Sequence, residues 1–210
     1  MSNLQSENKE QEQEQEQEQE QEQEQEQEQD EYNSSKILTN LNSIIDGKTI
    51  EESVGTKYYR DVRECLDILD IDHKVTAIGI LGRALELCTK EYFETLIKTK
   101  SSFQQNTGNH SIKKIREIFC GKNSKQDDRL KLLLNQQSFS KNSYTYRLKR
   151  PLLNKRIYNL LDSIRDARNK AFHGCSNEEY EELHNEADWL IEGGLRTLIE
   201  LIKEIDKSGR

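Results

Sequence analysis

From Asp72 onward the apolar residues recur at steps of three and four, and little interrupts them. Ile78, Leu81, Leu85, Cys88 and Tyr92 make one stripe within residues 72–98. Leu153, Ile157, Leu160, Ile164, Ala167 and Ala171 make a second within 149–172, and a third runs through Tyr180, Leu183, Ala187, Leu190, Gly194, Leu198, Leu201 and Ile205. Such spacing puts each set on one face of a helix, which must bury that face against another element. Pro151 is the only proline and there are only 10 glycines, so a many-turned β fold is disfavoured. Three long helices of about 24 to 30 residues predict an all-α bundle.

Punctuation along the chain fits that reading. Ile37, Leu38, Leu41, Ile44 and Ile45 predict a short helix closed by Asp46-Gly47, and Thr49-Ile-Glu-Glu52 is a capping box that opens another turn. Gly174 offers a left-handed C-cap after the second stripe, and Ser176-Asn-Glu-Glu179 a capping box before the third. We therefore expect a low-complexity tail at 1–35, short helices over 36–71, and a bundle over 72–208 with an insert at about 100–148. Within the insert, helices fit Ser111–Cys120 and Gln126–Asn135.

Charge divides the chain further. Residues 1–31 hold 13 acids against Lys9, whereas the remainder carries 26 acids and 30 bases, so a formal net charge of −8 splits into −12 and +4. From Glu10 to Gln29 glutamate and glutamine alternate strictly, which sets like charges at i,i+4 with no apolar face. The tail is expected to be disordered or at most a single helix, either a solubilising brush or a polyanion visiting a basic surface. That surface has a candidate: between Lys113 and Arg156 there are 13 Lys or Arg against Glu117, Asp127 and Asp128, interleaved with Phe139, Tyr144 and Tyr146. Cations beside aromatics suit a phosphate backbone with bases to stack on, although a charge run is often only a solvated face. Tail and segment together would make nucleic-acid affinity tail-dependent at low salt.

Other classes fall away. No stretch nears the roughly 18 apolar residues of a membrane span, and the N-terminus is acidic where a secretory signal is basic, so a cytoplasmic protein without membrane contact is expected. Cys65, Cys88, Cys120 and Cys175 form no Cys-x-x-Cys pair, and His73, His110 and His184 share no ligand spacing. No metal or cofactor is anticipated; the thiols read as buried and inert, His184 as a helix-surface residue, and Trp189 as packed in or beside the bundle.

The most informative stretch is Ile164-Arg-Asp-Ala-Arg-Asn-Lys-Ala-Phe-His-Gly174. Arg168 and His173 are about 140° out of register on a regular helix. They converge only if the helix ends near His173 or if a second subunit completes the site. A plainer reading leaves Arg168 exposed and His173 as a cation at the helix C-terminus.

At these residues the sequence resembles the HEPN superfamily, whose hallmark is Arg-x4–6-His with a polar residue after the Arg: here Arg168-Asn169-Lys-Ala-Phe-His173, then glycine. Gly82-Arg83-Ala84-Leu85-Glu86 is similar to the Arg-Ala-Leu-Glu element of the prokaryotic defence and restriction-associated branch. The resemblance covers about residues 72–206. It implies a HEPN-like helical bundle acting as a homodimeric, metal-independent endoribonuclease, a toxin or phage-defence effector with an antitoxin as a possible further partner.

Its catalytic residues would be Arg168, Asn169 and His173, with Arg83, Lys149, Arg150, Arg165 and Lys170 binding the RNA. His173 would exchange a proton with the ribose 2′-OH or the leaving oxygen near neutral pH, Arg168 would neutralise the transition-state phosphate, and Asn169 would orient either. The products would be a 2′,3′-cyclic phosphate and a 5′-OH. Arg83 could equally pair with Glu86 or buttress the bundle. One toxin group carries, two residues after the His, a Tyr modified by a partner nucleotidyltransferase; here that position is Cys175, which argues against that route, although Tyr180 lies close by. Two alternatives stay open: a non-catalytic RNA- or nucleotide-binding HEPN module, and a helical protein-interaction module.

Overall fold

The computed structural model describes residues 33–99, 112–121, 124–134, 139–141, 144–146 and 151–209. Among the described residues seven helices make up the bundle: α1 (Asn33–Ile45), α2 (Ile50–Leu69), α3 (Lys74–Thr99), α4 (Ile112–Cys120), α5 (Gln126–Leu134), α6 (Lys155–His173) and α7 (Asn177–Gly209). Between α5 and α6 sits an antiparallel hairpin that the sequence reading did not anticipate. Its strands are β1 (Phe139–Lys141) and β2 (Tyr144–Tyr146), with Phe139 opposite Tyr146. The acidic tail, and with it every expectation about its behaviour, lies outside the described residues.

Helix α3 is central, packed against α2, α6 and α7. Its sequence explains why: from Ala77 to Leu85 only Arg83 is exposed, so this stretch is apolar nearly all round and needs neighbours on several sides. Each predicted stripe faces this core except at Tyr180, which is 41% exposed. Ile78, Leu81, Leu85, Cys88 and Tyr92 are buried, as are Leu183, Ala187, Leu190, Leu198 and Leu201 of α7, whereas Ile157, Leu160 and Ala171 of α6 are only partly covered. At the meeting of α3, α6 and α7, Gly194 lets the side chains of the neighbouring helices approach the α7 backbone closely. A Cβ there would stand 2.7 Å from Leu81 Cδ2 and 2.9 Å from Ile164 Cδ1.

The helix ends follow local chemistry. Thr49 and Glu52 form the predicted capping box, but α2 then continues for 20 residues and not for one turn. Gly55, at φ 67° and ψ 163°, kinks it, and beyond the kink Tyr58, Val62, Cys65, Leu66 and Leu69 supply a buried stripe. Helix α6 begins at Lys155, later than the expected start near Lys149. The backbone N–H groups of Leu152 and Leu153 donate to the Leu133 carbonyl instead of entering a helix, and Asn154 caps the first turn by accepting from Ile157 N at 2.8 Å. At its far end Gly174 takes φ 90°, ψ 144°, a positive-φ conformation but not the predicted left-handed helical one. The Ser176–Glu179 capping box then starts α7.

Trp189, expected against the bundle, is 62% exposed. It falls between the buried positions Ala187 and Leu190 on α7, where the helical turn points it outward. All four cysteines are free, Cys65 and Cys88 buried and Cys120 and Cys175 partly so. No described helix is long and apolar enough to cross a membrane.

Candidate functional site

The two motifs that the sequence places 82 residues apart are brought into contact by the crossing of α3 and α6. Arg168 lies with its aliphatic stem across Gly82: a Cβ on that glycine would be 2.9 Å from Arg168 Cδ and 3.0 Å from Arg168 Cβ. One turn further along α3, Glu86 Oε2 accepts a hydrogen bond from Arg168 Nη1. Gly82 and Glu86 are i,i+4 on one helix face, so the first admits the stem and the second receives the head. A turn the other way, Gly79 makes room for the Phe172 ring, which still presents 58% of itself to solvent.

Glu86 also faces a second cation. Arg129 of α5 is 2% exposed, and its Nη1 donates to the Phe119 carbonyl at 3.0 Å and to Ser124 Oγ at 2.9 Å, while its Nη2 stands 4.0 Å from Glu86 Oε1. Burial pushes the Arg129 guanidinium below its ordinary value, opposed by nearby charges including Glu86. The carboxylate is thus shared by a buried and a half-buried arginine.

His173 is the last residue of α6 and is exposed, with no hydrogen bond or ion pair among the described residues; Asn169 is likewise exposed and unengaged. Because α6 stays helical through His173, the imidazole and the Arg168 guanidinium leave the helix in different directions. No hydrogen bond joins the two among the described residues. The other predicted cations are engaged. Arg83 reaches across to α2, where Asp61 accepts at 2.7 Å and Glu64 at 3.3 Å; those carboxylates raise its pKa, the Asp61 hydrogen bond being the largest cause. It pairs with α2 and not with Glu86. Arg165 bridges Asp162 and Asp127, and Lys170 lies near Asp166 and Glu179. Lys149 and Arg150 are outside the described residues.

Among the described residues of the basic segment, one cation is not at the surface. Arg129 is interior and Lys131 pairs with Asp127 at 2.7 Å, while Lys113, Arg116, Lys125, Lys155 and Arg156 are exposed. Three surface cavities, of about 370, 360 and 480 Å³, are lined by other residues, the first around Gly55 and Lys203, the second around Tyr92 and Leu153, the third by the Tyr59–Ile68 face of α2. Among the described residues no cluster of His, Cys, Asp and Glu is grouped to hold a metal ion.

Sequence reasoning placed Arg168 and Glu86 in separate motifs and missed their pairing, and it counted Arg129 as a surface charge. A partial signal existed: glycine and glutamate at i,i+4 on an otherwise apolar helix mark a place where a long polar side chain from elsewhere can lie. No family model, curated protein or solved structure matches the chain.

Proposed function

We propose that this chain is a HEPN-type, metal-independent endoribonuclease that works as a homodimer. The observation that carries the reading is the end of α6. A free, exposed His173 stands five residues from an Arg168 whose guanidinium is held by Glu86 at a half-buried position. Those are the residue types that metal-free cleavage through a ribose 2′-OH requires: an imidazole to move the proton, and a planar fork to meet the phosphate. The divergence of Arg168 and His173 on one regular helix supports a composite site, with arginine from one copy facing histidine from the other. The exposed Phe172 and Leu87, on the two helices that bear the motifs, offer apolar area to such a partner.

A second reading has its own support. Arg168, Arg165, Lys170 and Arg83 each pair with an intramolecular carboxylate, which suits a module that binds RNA weakly and does not turn it over.

One experiment separates them. Purified protein is incubated with total RNA in EDTA, and fragments and their ends are identified. Wild type yields 2′,3′-cyclic phosphate ends, whereas His173→Ala and Arg168→Ala each yield none. Mixing the two inactive variants restores about a quarter of the activity, since half the dimers are mixed and each mixed dimer holds one intact Arg–His pair. Intact RNA with wild type, bound but uncut, selects the binding module.

A further inference from the structure

The Gly82–Glu86 face of α3 and the buried Arg129 are not part of the Arg-x4-His motif, yet they surround its arginine. Three observations bear on what they do. The Arg168 stem is confined against Gly82, where even a methyl group would collide. Its head is bound to Glu86 through Nη1 only; Nε and Nη2 make no hydrogen bond or ion pair among the described residues. Glu86 in turn is shared with Arg129, whose own position is locked by the Phe119 carbonyl and Ser124.

We propose that Glu86, backed by the buried Arg129, is the positioning residue for Arg168, holding one edge of the guanidinium so that the other edge is presented to a single phosphodiester. This rests on the ribonuclease reading above. A carboxylate paired with one arginine would cancel its charge and weaken its attraction for phosphate. Shared between two arginines, it leaves the trio with a net positive charge while still fixing the orientation of the accessible one. A guanidinium already in place spares the reaction the cost of ordering a flexible side chain, and orientation of that kind is lost when its anchor goes. Arg129 comes from the insert, so α5 acts on the site through Glu86 without touching substrate.

Two measurements on the full chain test this. In the first, protein with ¹⁵N-labelled arginine is followed by NMR, the Arg168 guanidinium signal being assigned by its loss in Arg168→Lys. Hindered rotation of that group in wild type and free rotation in Glu86→Gln is the expected result; Glu86 is 36% exposed in its side chain, so the isosteric amide leaves the fold intact. In the second, steady-state cleavage of a short RNA compares the same proteins. Glu86→Gln lowers kcat about 10- to 100-fold with KM within about threefold, the pattern of lost orientation and not of lost binding. Arg129→Lys, which keeps the buried charge, lowers kcat less than Arg129→Met.

The arms fail separately. If wild type cuts no RNA, the ribonuclease reading falls, but a guanidinium restrained by Glu86 alone still supports the positioning role. A guanidinium equally mobile, or equally restrained, in wild type and Glu86→Gln overturns that role whatever the cleavage assay shows. So does an active Glu86→Gln with unchanged kcat.

Discussion

Gly82 and Gly193 are both helical glycines, and the same substitution should act on them in opposite ways. Alanine is favoured over glycine inside a helix by about 0.8–1 kcal/mol. At Gly193 the new methyl group would meet only the Leu160 methyl carbons, at 3.1 and 3.2 Å, which can turn aside. At Gly82 it would press on the Cβ, Cγ and Cδ of Arg168, a stem with no room to retreat because its head is bound to Glu86. Overpacking costs about 1–3 kcal/mol. Urea denaturation should therefore find Gly193→Ala more stable than wild type by up to about 1 kcal/mol and Gly82→Ala less stable by up to about 2 kcal/mol. Equal stabilities would mean that the α3–α6 crossing is looser than described. The contact was not legible in the sequence. Both motifs could be found there, but nothing in the spacing of Glu86 says that its partner is Arg168 and not Arg83, three residues away.

At the scale of elements, the helices with strong periodicity or capping boxes were legible and those governed by backbone contacts were not. Thr49–Glu52 and Ser176–Glu179 close as the sequence suggests, because a capping box is satisfied within four residues. The start of α6 depends instead on the Leu133 carbonyl, a group about 20 residues away that no local pattern reveals. The turn from α6 to α7 is intermediate. A glycine after the stripe marks the end of a helix, but only the tertiary path decides that Gly174 sits at φ 90°, ψ 144°. No atom lies within 4 Å of a Cβ built there, so Gly174→Ala should cost only backbone strain, about 1–3 kcal/mol in urea denaturation. A neutral substitution would show that the turn relaxes to another conformation.

The whole molecule responds to alkali through its interior. Burial pushes the Cys65 and Cys88 thiols each up to about 12, and burial foremost, with Cys88 and Glu91 beside it, also raises the Tyr58 phenol. The folded state holds these protons while the unfolded chain releases its thiol protons from about pH 8.5 and its phenol protons from about pH 10. Where the native state binds more protons, stability falls as pH rises. The contribution is fully present below the ordinary thiol pKa and declines above it by about 1.4 kcal/mol per pH unit for each ionised group. Thermal melting should show the midpoint dropping between about pH 8.5 and pH 10.5. A Cys65→Ala, Cys88→Ala double variant should begin lower but fall less steeply; parallel curves would assign the alkaline loss to other groups.

By itself the sequence determined that the chain is helical and where its longest helices lie, because a 3.6-residue period, two capping boxes and a single proline act locally and need no partner. It also displayed the Arg-x4-His spacing. Tertiary structure alone decided what surrounds that motif. Helix α3 could come close enough to α6 for Glu86 to take Arg168 only because Gly79 and Gly82 carry no side chain at the crossing. Arg129 could join them only because α5 docks on α3 and its guanidinium finds a backbone carbonyl and a hydroxyl to sustain a buried charge. Such pairings join residues that are 43 to 82 positions apart in the chain, and long-range packing, which no local pattern encodes, selects them.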